Sequence, residues 1–308
     1  MGGQPGLSRG AAGGAASLPS WPPRAPGCRW RDQASGPRWS GRCTRRAGDP
    51  RSRWLGEHWD LVLPLLTAGV RTVALDLPAH GGSRPGAGPT LDDAQRVVAA
   101  VADWAALHQP VTLLAHSFGA TVALRWAATA PQRVSRLLVL APPVPRAAHY
   151  DLGIAAKQLL LRLPGVEGVV SRQQRAASPR ELVDRQLRQA TPHPERVPES
   201  AVSASADDVA LCRSRGWEPE AQHQQWRMIL ETMTLLRDGA AYARSLAELD
   251  VPGGWLHGDA DPLSRLTAAR RLADSQPRWP FHVIGGAGHV PHVERPREVA
   301  AELDLLLR

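Results

Sequence analysis

From about residue 56 to the C terminus, apolar runs alternate with amphipathic helical patterns. The helical patterns occupy 57–69, 90–108, 263–275 and 297–307, and a further one follows residue 119. The apolar runs have the character of buried strands and read VRTVALDL (70–77), VTLLA (111–115), RVSRLLVLAPP (133–143), VPGGWLHG (251–258) and WPFHVIGG (279–286). Strands that alternate with helices pair in parallel through right-handed crossovers. The sequence therefore predicts an α/β fold with a doubly wound, mostly parallel sheet.

One long block, residues 144–249, has helical patterns only. Ser178 and Glu181 have the spacing of a capping box, with a proline between them at the first helical position. A second helix is predicted from Pro219 to a glycine stop at Gly239. We therefore expect an α/β core in two parts, 56–143 and 250–308, with residues 144–249 inserted as a helical cap.

The segment before residue 56 differs in composition. Residues 1–55 are rich in Gly, Pro and Arg and show no helical or strand period, which predicts disorder. They contain ten arginines and two aspartates, which account for the whole formal charge of +8. The rest of the chain is balanced in charge, so we predict no nucleic-acid partner. Two interpretations of the segment stay open: a natural arginine-rich arm, or translation out of frame.

Ser117 is the fifth residue of LLAHSFGAT (113–121), between a predicted strand and a predicted helix. This is the context of the nucleophile elbow G-x-S-x-G, in which Ala115 replaces the first glycine and Gly119 holds the last small position. We expect a small residue at Gly119 because backbones pack closely around such a turn. The alternative role for Ser117 is an ordinary helix N-cap.

A carboxylate and a histidine follow the last two predicted strands. In WLHGDADPL (255–263), Asp261 is favoured over Asp259 because it lies further into the loop. In GGAGHVPHVERP, His289 follows a glycine-rich turn, whereas His257, His282 and His292 have the pattern of solvated or core residues. The carboxyl ends of parallel strands meet at one edge of a sheet, so Ser117, Asp261 and His289 are expected to gather there.

Four stretches carry a family resemblance: LDLPAHGGS (75–83), LLAHSFGAT, WLHGDADPL and GAGHVPHVERP (286–296). They resemble the DLPGHGxS, GHSxGG, HGxxDxxxP and GxGHxxxxExP segments of α/β-hydrolase-fold proteins with a helical cap. The resemblance implies Ser117 as nucleophile, Asp261 as the acid and His289 as the base. It also implies the backbone N–H of Phe118 as an oxyanion donor, while His80 is expected to shape a loop.

The resemblance implies a serine hydrolase that cleaves an ester, thioester or similar acyl compound, with an apolar small molecule as substrate. A serine at the elbow argues against the haloalkane dehalogenase and epoxide hydrolase branches. Two alternatives stay open: a carbon–carbon bond hydrolase or lyase of the same fold, and a non-catalytic ligand-binding protein. The family places upstream a strand whose following loop supplies a second oxyanion donor, and two still earlier strands, and nothing in residues 1–55 resembles them. We therefore predict that the N-terminal strands are missing or replaced, with impaired activity.

Several classes of protein are excluded by composition. No apolar stretch approaches the ~20 residues of a membrane span, and no secretory signal follows the N-terminal arginines. Cys28, Cys43 and Cys212 have neither metal-ligand spacing nor an even count, which favours a reducing compartment. We predict a cytoplasmic protein without a metal or a cofactor.

Overall fold

The structure is a computed structural model, and it describes residues 59–66, 72–86, 88, 90–104, 109–145 and 163–308. The predicted disordered segment 1–55 lies outside the described residues. Within them, four strands form one parallel sheet in the order β1-β2-β3-β4. Their bounds are Val111–His116 for β1, Val134–Leu140 for β2, Gly253–Gly258 for β3 and Phe281–Ile284 for β4.

Ten α-helices are found in the described residues. They are α1 (Leu91–Trp104), α2 (Phe118–Thr129), α3 (Val166–Ala176), α4 (Pro179–Ala190), α5 (Glu199–Ser214), α6 (Glu218–Leu235), α7 (Gly239–Ala247), α8 (Leu266–Ala273), α9 (Pro291–Glu294) and α10 (Pro296–Leu307). No helix in this part of the chain is long and apolar enough to cross a membrane.

Helices cover both faces of the sheet, as the side chains of strand β2 show. Leu137 and Val139 pack in a cluster with residues of α1, α2 and α8. Leu138 and Leu140 point the other way and pack against α10. All four side chains are buried, and each buried Leu or Val contributes about 1.5–3 kcal/mol. Because successive strand residues face opposite layers, a continuous apolar run is what this position requires. The predicted doubly wound parallel sheet is confirmed.

Helices α3 to α7 follow β2 and precede β3, so the chain leaves the sheet between two neighbouring strands. The capping box at the start of α4 is present: Ser178 accepts a hydrogen bond from the Glu181 N–H, and Glu181 accepts one from the Ser178 N–H. Helix α6 is fastened to the loop before α1 through the Gln224 side chain, which bonds to both backbone groups of Gly86.

The structure corrects three details of the predicted elements. Residues 59–66 form two 3-10 turns, Trp59–Leu61 and Leu63–Leu65, instead of one helix, because Pro64 cannot donate a helical hydrogen bond. Residues 72–77 form no strand beyond a single bridge at Thr72, and Val73 is 38% exposed, so this run lacks the burial of a parallel strand. Helix α6 ends at Leu235, and Gly239 begins α7, whose N-cap is the Asp238 side chain.

Candidate active site

Ser117 lies on the sharp turn between β1 and α2. Its backbone has φ 48° and ψ −122°, a conformation that favours glycine. The Ser117 N–H donates to the carbonyl of Leu140 on the neighbouring strand, and the Ser117 carbonyl accepts from the Ala120 N–H, both at 2.9 Å. These two bonds hold a conformation that costs about 1–3 kcal/mol. The side chain makes no N-cap hydrogen bond to α2, which removes the alternative of an ordinary cap.

The Ser117 hydroxyl instead contacts His289. The distance from Ser117 Oγ to His289 Nε2 is 2.7 Å. His289 follows β4 and the turn 285–288, and its Nδ1 lies 2.8 Å from Asp261 Oδ2. A carboxylate only accepts hydrogen bonds, so Nδ1 carries the proton and Nε2 is left to accept the Ser117 O–H. The structure therefore brings together three side chains that come from three different strand ends.

Asp261 is held in place by its own loop. Its Oδ1 accepts hydrogen bonds from the N–H groups of Leu263 and Ser264, both at 2.8 Å. The side chain is fully buried, and Oδ2 faces His289. Asp259, the competing carboxylate, is exposed and accepts a hydrogen bond from the Gly286 N–H at 2.6 Å. The structure thus places Asp261 beside His289, and Asp259 at the turn 285–288 that precedes His289.

His257 contacts the buried side of Asp261, and the sequence analysis did not predict this contact. Its Nε2 donates to the Ser264 carbonyl at 2.5 Å and lies 3.6 Å from Asp261 Oδ2. Trp255 Nε1–H points at His257 Nδ1 at 3.4 Å, which fixes the tautomer. Burial lowers the pKa of His257, so the ring is neutral near pH 7. The only signal in the sequence was its position four residues before Asp261.

Phe118 is the first residue of α2. Its backbone N–H is one of the first four of the helix, which have no intrahelical acceptor, so it is available to an anion at this end. Its ring stacks on His80, with centroids 5.4 Å apart. His80 Nδ1 donates to the Pro78 carbonyl at 3.0 Å within the same loop, and burial lowers the pKa of His80.

Gly119 has open space around it among the described residues outside its own helix. Apart from its chain neighbours and the backbone of its own helix, a Cβ added to Gly119 would meet no described heavy atom within 4 Å. Packing against these more distant residues therefore does not require glycine there, and the expected close packing of the backbone at the turn itself stays a prediction. The strain of the elbow lies at Ser117 itself. The predicted lack of a second oxyanion donor concerns residues 1–55 and lies outside the described residues. In the part of the chain that the structure describes, no three His, Cys, Asp or Glu side chains group as metal ligands would.

A family model described as the alpha/beta hydrolase family matches residues 40–302. The chain belongs to the alpha/beta hydrolase family. This match begins at residue 40, whereas the motif resemblance begins at about residue 56.

Two curated relatives are similar along most of their length. The pimeloyl-[acyl-carrier protein] methyl ester esterase of Aromatoleum aromaticum is 26% identical over 259 residues, which cover 81% of this chain and 92% of the relative. The enzyme of the same name from Nitrosomonas europaea is 27% identical over 257 residues, or 80% of this chain and 89% of the relative. With the family match, these esterases show that the chain is a hydrolase enzyme.

Solved structures share the fold. A thermophilic esterase from Thermogutta terrifontis superposes with a TM-score of 0.62 at 19% identity, covering 82% of this chain and 85% of that one. The meta-cleavage product hydrolase from Pseudomonas fluorescens gives a TM-score of 0.58 at 17% identity, covering 82% and 84%. The α/β-hydrolase fold expected from the motifs is confirmed.

Proposed function

We propose that the protein is a serine hydrolase that cleaves carboxylic esters or thioesters through an acyl-enzyme on Ser117. The contact chain from Ser117 Oγ to His289 Nε2 and from His289 Nδ1 to Asp261 Oδ2, at 2.7 and 2.8 Å, is the observation that supports this most directly. It has the order and polarity that acyl transfer by a serine requires. The esterase activity of the two curated relatives points the same way.

In the first half of the reaction, His289 Nε2 takes the proton of the Ser117 hydroxyl as Oγ attacks the substrate carbonyl carbon. The carbonyl oxygen becomes an oxyanion, and the Phe118 N–H donates a hydrogen bond to it. His289 then gives its proton to the leaving alcohol or thiol, and the acyl group stays on Ser117. In the second half, water loses a proton to His289 as its oxygen attacks the acyl carbon. The bond from that carbon to Ser117 Oγ then breaks, the acid leaves, and His289 returns the proton to Oγ.

Asp261 has a different role, because it does not touch the substrate. Its buried carboxylate accepts the Nδ1–H bond, holds the imidazole in the tautomer that can accept at Nε2, and stabilises the imidazolium that forms. The two N–H donors from its own loop hold the carboxylate of Asp261 in this orientation.

We further propose that residues 144–249 form a cap that receives the acyl chain. Helices α3 to α7 lie in the chain between β2 and β3. The last residue of β2, Leu140, accepts the hydrogen bond of the Ser117 N–H, and Asp261 follows β3. Open α/β sheets bind their ligands at this carboxyl edge of the strands. Helix α6 also reaches the loop that carries His80, beside Phe118, since Gln225 Nε2 donates to the Ala79 carbonyl at 2.5 Å. An apolar acyl substrate fits the leucine- and methionine-containing helices better than a charged one.

The test is hydrolysis of p-nitrophenyl and methyl esters of graded chain length by the wild type, Ser117→Ala and a matched control. Ser245→Ala is the control, because Ser245 is exposed on α7 and, among the described residues, its hydroxyl bonds to the Ala241 carbonyl of its own helix. We expect turnover by the wild type and the control, and a loss on the order of 10³-fold or more in Ser117→Ala. Turnover that survives in Ser117→Ala would contradict the nucleophile. A folded wild type that cleaves no ester would favour a ligand-binding protein or carbon–carbon bond chemistry.

A further inference from the structure

The peptide of His289 is held from two sides by groups far away in sequence. Its N–H donates to the Ala190 carbonyl at 2.8 Å. Its carbonyl accepts a hydrogen bond from His116 Nε2 at 2.7 Å. His116 is the last residue of β1 and precedes Ser117, whereas Ala190 is the last residue of α4. The backbone of His289 is thus tied both to the elbow and to the inserted helices.

Thr191, directly after α4, makes a second connection to the same turn. Its Oγ donates to Glu294 Oε2 at 2.6 Å, and both side chains are buried, with exposures of 2% and 6%. The Glu294 carboxylate also accepts the Gly288 N–H, at 3.0 and 3.1 Å to its two oxygens. Glu294 therefore joins Thr191 to the residue before His289.

Gly288 lies so close to the end of α4 that no side chain fits between them. A Cβ at Gly288 would lie 2.7 Å from Thr191 Cα and 2.8 Å from the Ala190 carbonyl oxygen, so the two backbones touch directly. The last carbonyls of a helix have no intrahelical partner, and the His289 N–H satisfies the one of Ala190. Arg196 adds a bond from its Nη1 to the Gly286 carbonyl at 2.5 Å. A shift of the end of α4 would be transmitted to His289 because nothing flexible separates them.

We propose that Thr191 is a positioning residue for His289, and that through it the inserted helices set the distance between His289 Nε2 and Ser117 Oγ. The inference rests on the proposed function, in which His289 is the general base. Thr191 supplies the hydroxyl that orients the buried Glu294 carboxylate, and Glu294 in turn fixes the Gly288–His289 peptide. Without that hydroxyl the carboxylate loses a charge-assisted hydrogen bond in a buried place, and the turn relaxes.

The test uses three variants of the full chain. Thr191→Val removes the hydroxyl at nearly constant shape, and Thr191→Ser keeps it. Thr232→Val is the matched control, because Thr232 is a buried threonine on α6 whose hydroxyl has no hydrogen-bond partner among the described residues. All are assayed at a temperature where thermal unfolding shows them fully folded.

On an ester that the wild type cleaves, Thr191→Val should lower kcat about 10- to 100-fold with KM nearly unchanged, because a general base displaced by a fraction of an ångström still leaves substrate binding intact. Thr191→Ser should recover kcat to within about threefold, and Thr232→Val should match the wild type. A purely structural role predicts that Thr191→Val lowers the thermal stability but leaves kcat of the folded protein unchanged, or that serine does not restore kcat, and either result would overturn the proposal.

A second readout separates this proposal from the proposed function. The ring N–H of His289 that bonds to Asp261 should give a downfield proton signal in NMR spectra, and the chemical shift of its ¹⁵N atom should report the tautomer. We expect the signal in the wild type, Thr191→Ser and Thr232→Val, and its broadening or shift in Thr191→Val. An unchanged signal in Thr191→Val refutes the positioning role whether or not any ester is cleaved.

Discussion

The backbone of Ser117 allows the strain of the elbow to be measured directly. Ser117→Ala and Ser117→Gly both lack the hydroxyl, so the two variants differ in backbone preference alone. At φ 48° and ψ −122° an L-residue is strained by about 1–3 kcal/mol, and glycine is not. Glycine loses about 0.5–1 kcal/mol more backbone entropy on folding than alanine. The difference leaves Ser117→Gly more stable than Ser117→Ala by about 1 kcal/mol.

The assay is equilibrium unfolding in urea followed by tryptophan fluorescence, which the 11 tryptophans make possible. Ser245 on α7 is the reference site, because in a helix the order must reverse: Ser245→Ala should be about 1 kcal/mol more stable than Ser245→Gly. In thermal unfolding, 1 kcal/mol corresponds to about 2–4 °C for a chain of this size. If alanine were the more stable residue at both positions, the elbow would not be strained and the geometry described for Ser117 would be wrong.

Further predictions concern the carboxylates, pH and the turn before His289. Asp261→Asn should lower kcat on the order of 10³- to 10⁴-fold while Asp259→Asn changes it little, as steady-state ester hydrolysis will show; equal losses would contradict the pairing. Burial lowers the pKa of His80 and of His257, so the unfolded chain binds their protons first as the pH falls below about 6.5. Stability should therefore fall toward acid, by at most about 1.4 kcal/mol per pH unit for each ring. His257→Asn should flatten that dependence in urea unfolding at pH 7.5, 6.5 and 5.5, and an unaltered slope would argue against a neutral buried ring. Gly258→Ala should destabilise the fold and reduce activity, because the added Cβ would lie 2.2 and 2.3 Å from two carbonyl oxygens of the turn before His289; wild-type Tm and turnover would show that β3 and the turn are not in contact.

The sequence predicted the parts of the fold that depend on local pattern. The apolar runs of β1 to β4 and the cap of α4 at Ser178 are visible without the structure, because burial on both faces and helix capping each leave a local signature. The run 70–77 has the same pattern as a strand, but a strand also needs neighbours to cover it, and Val73 is exposed. Pro64 and Gly239 were misjudged because a proline or glycine marks a boundary without saying which element it belongs to.

The site was predictable only in its residue types. The positions of Ser117, Asp261 and His289 after strands bring them to one edge of a parallel sheet, and chain order suggests their roles. The groups that orient them are not predictable in this way. The hydrogen bond from Thr191 to Glu294 joins residues that are 103 positions apart. His257 has the sequence pattern of an ordinary buried histidine, and only the structure shows that it lies next to Asp261.

The most direct test of the central claim is covalent labelling of Ser117 by a fluorophosphonate, read by intact mass and peptide mapping. An activated serine reacts because the base removes its proton as phosphorus is attacked. The wild type should gain one adduct, located on Ser117, and Ser117→Ala should gain none. A folded wild-type protein that stays unmodified, or that carries its adduct on another residue, would contradict the assignment of Ser117 as the nucleophile.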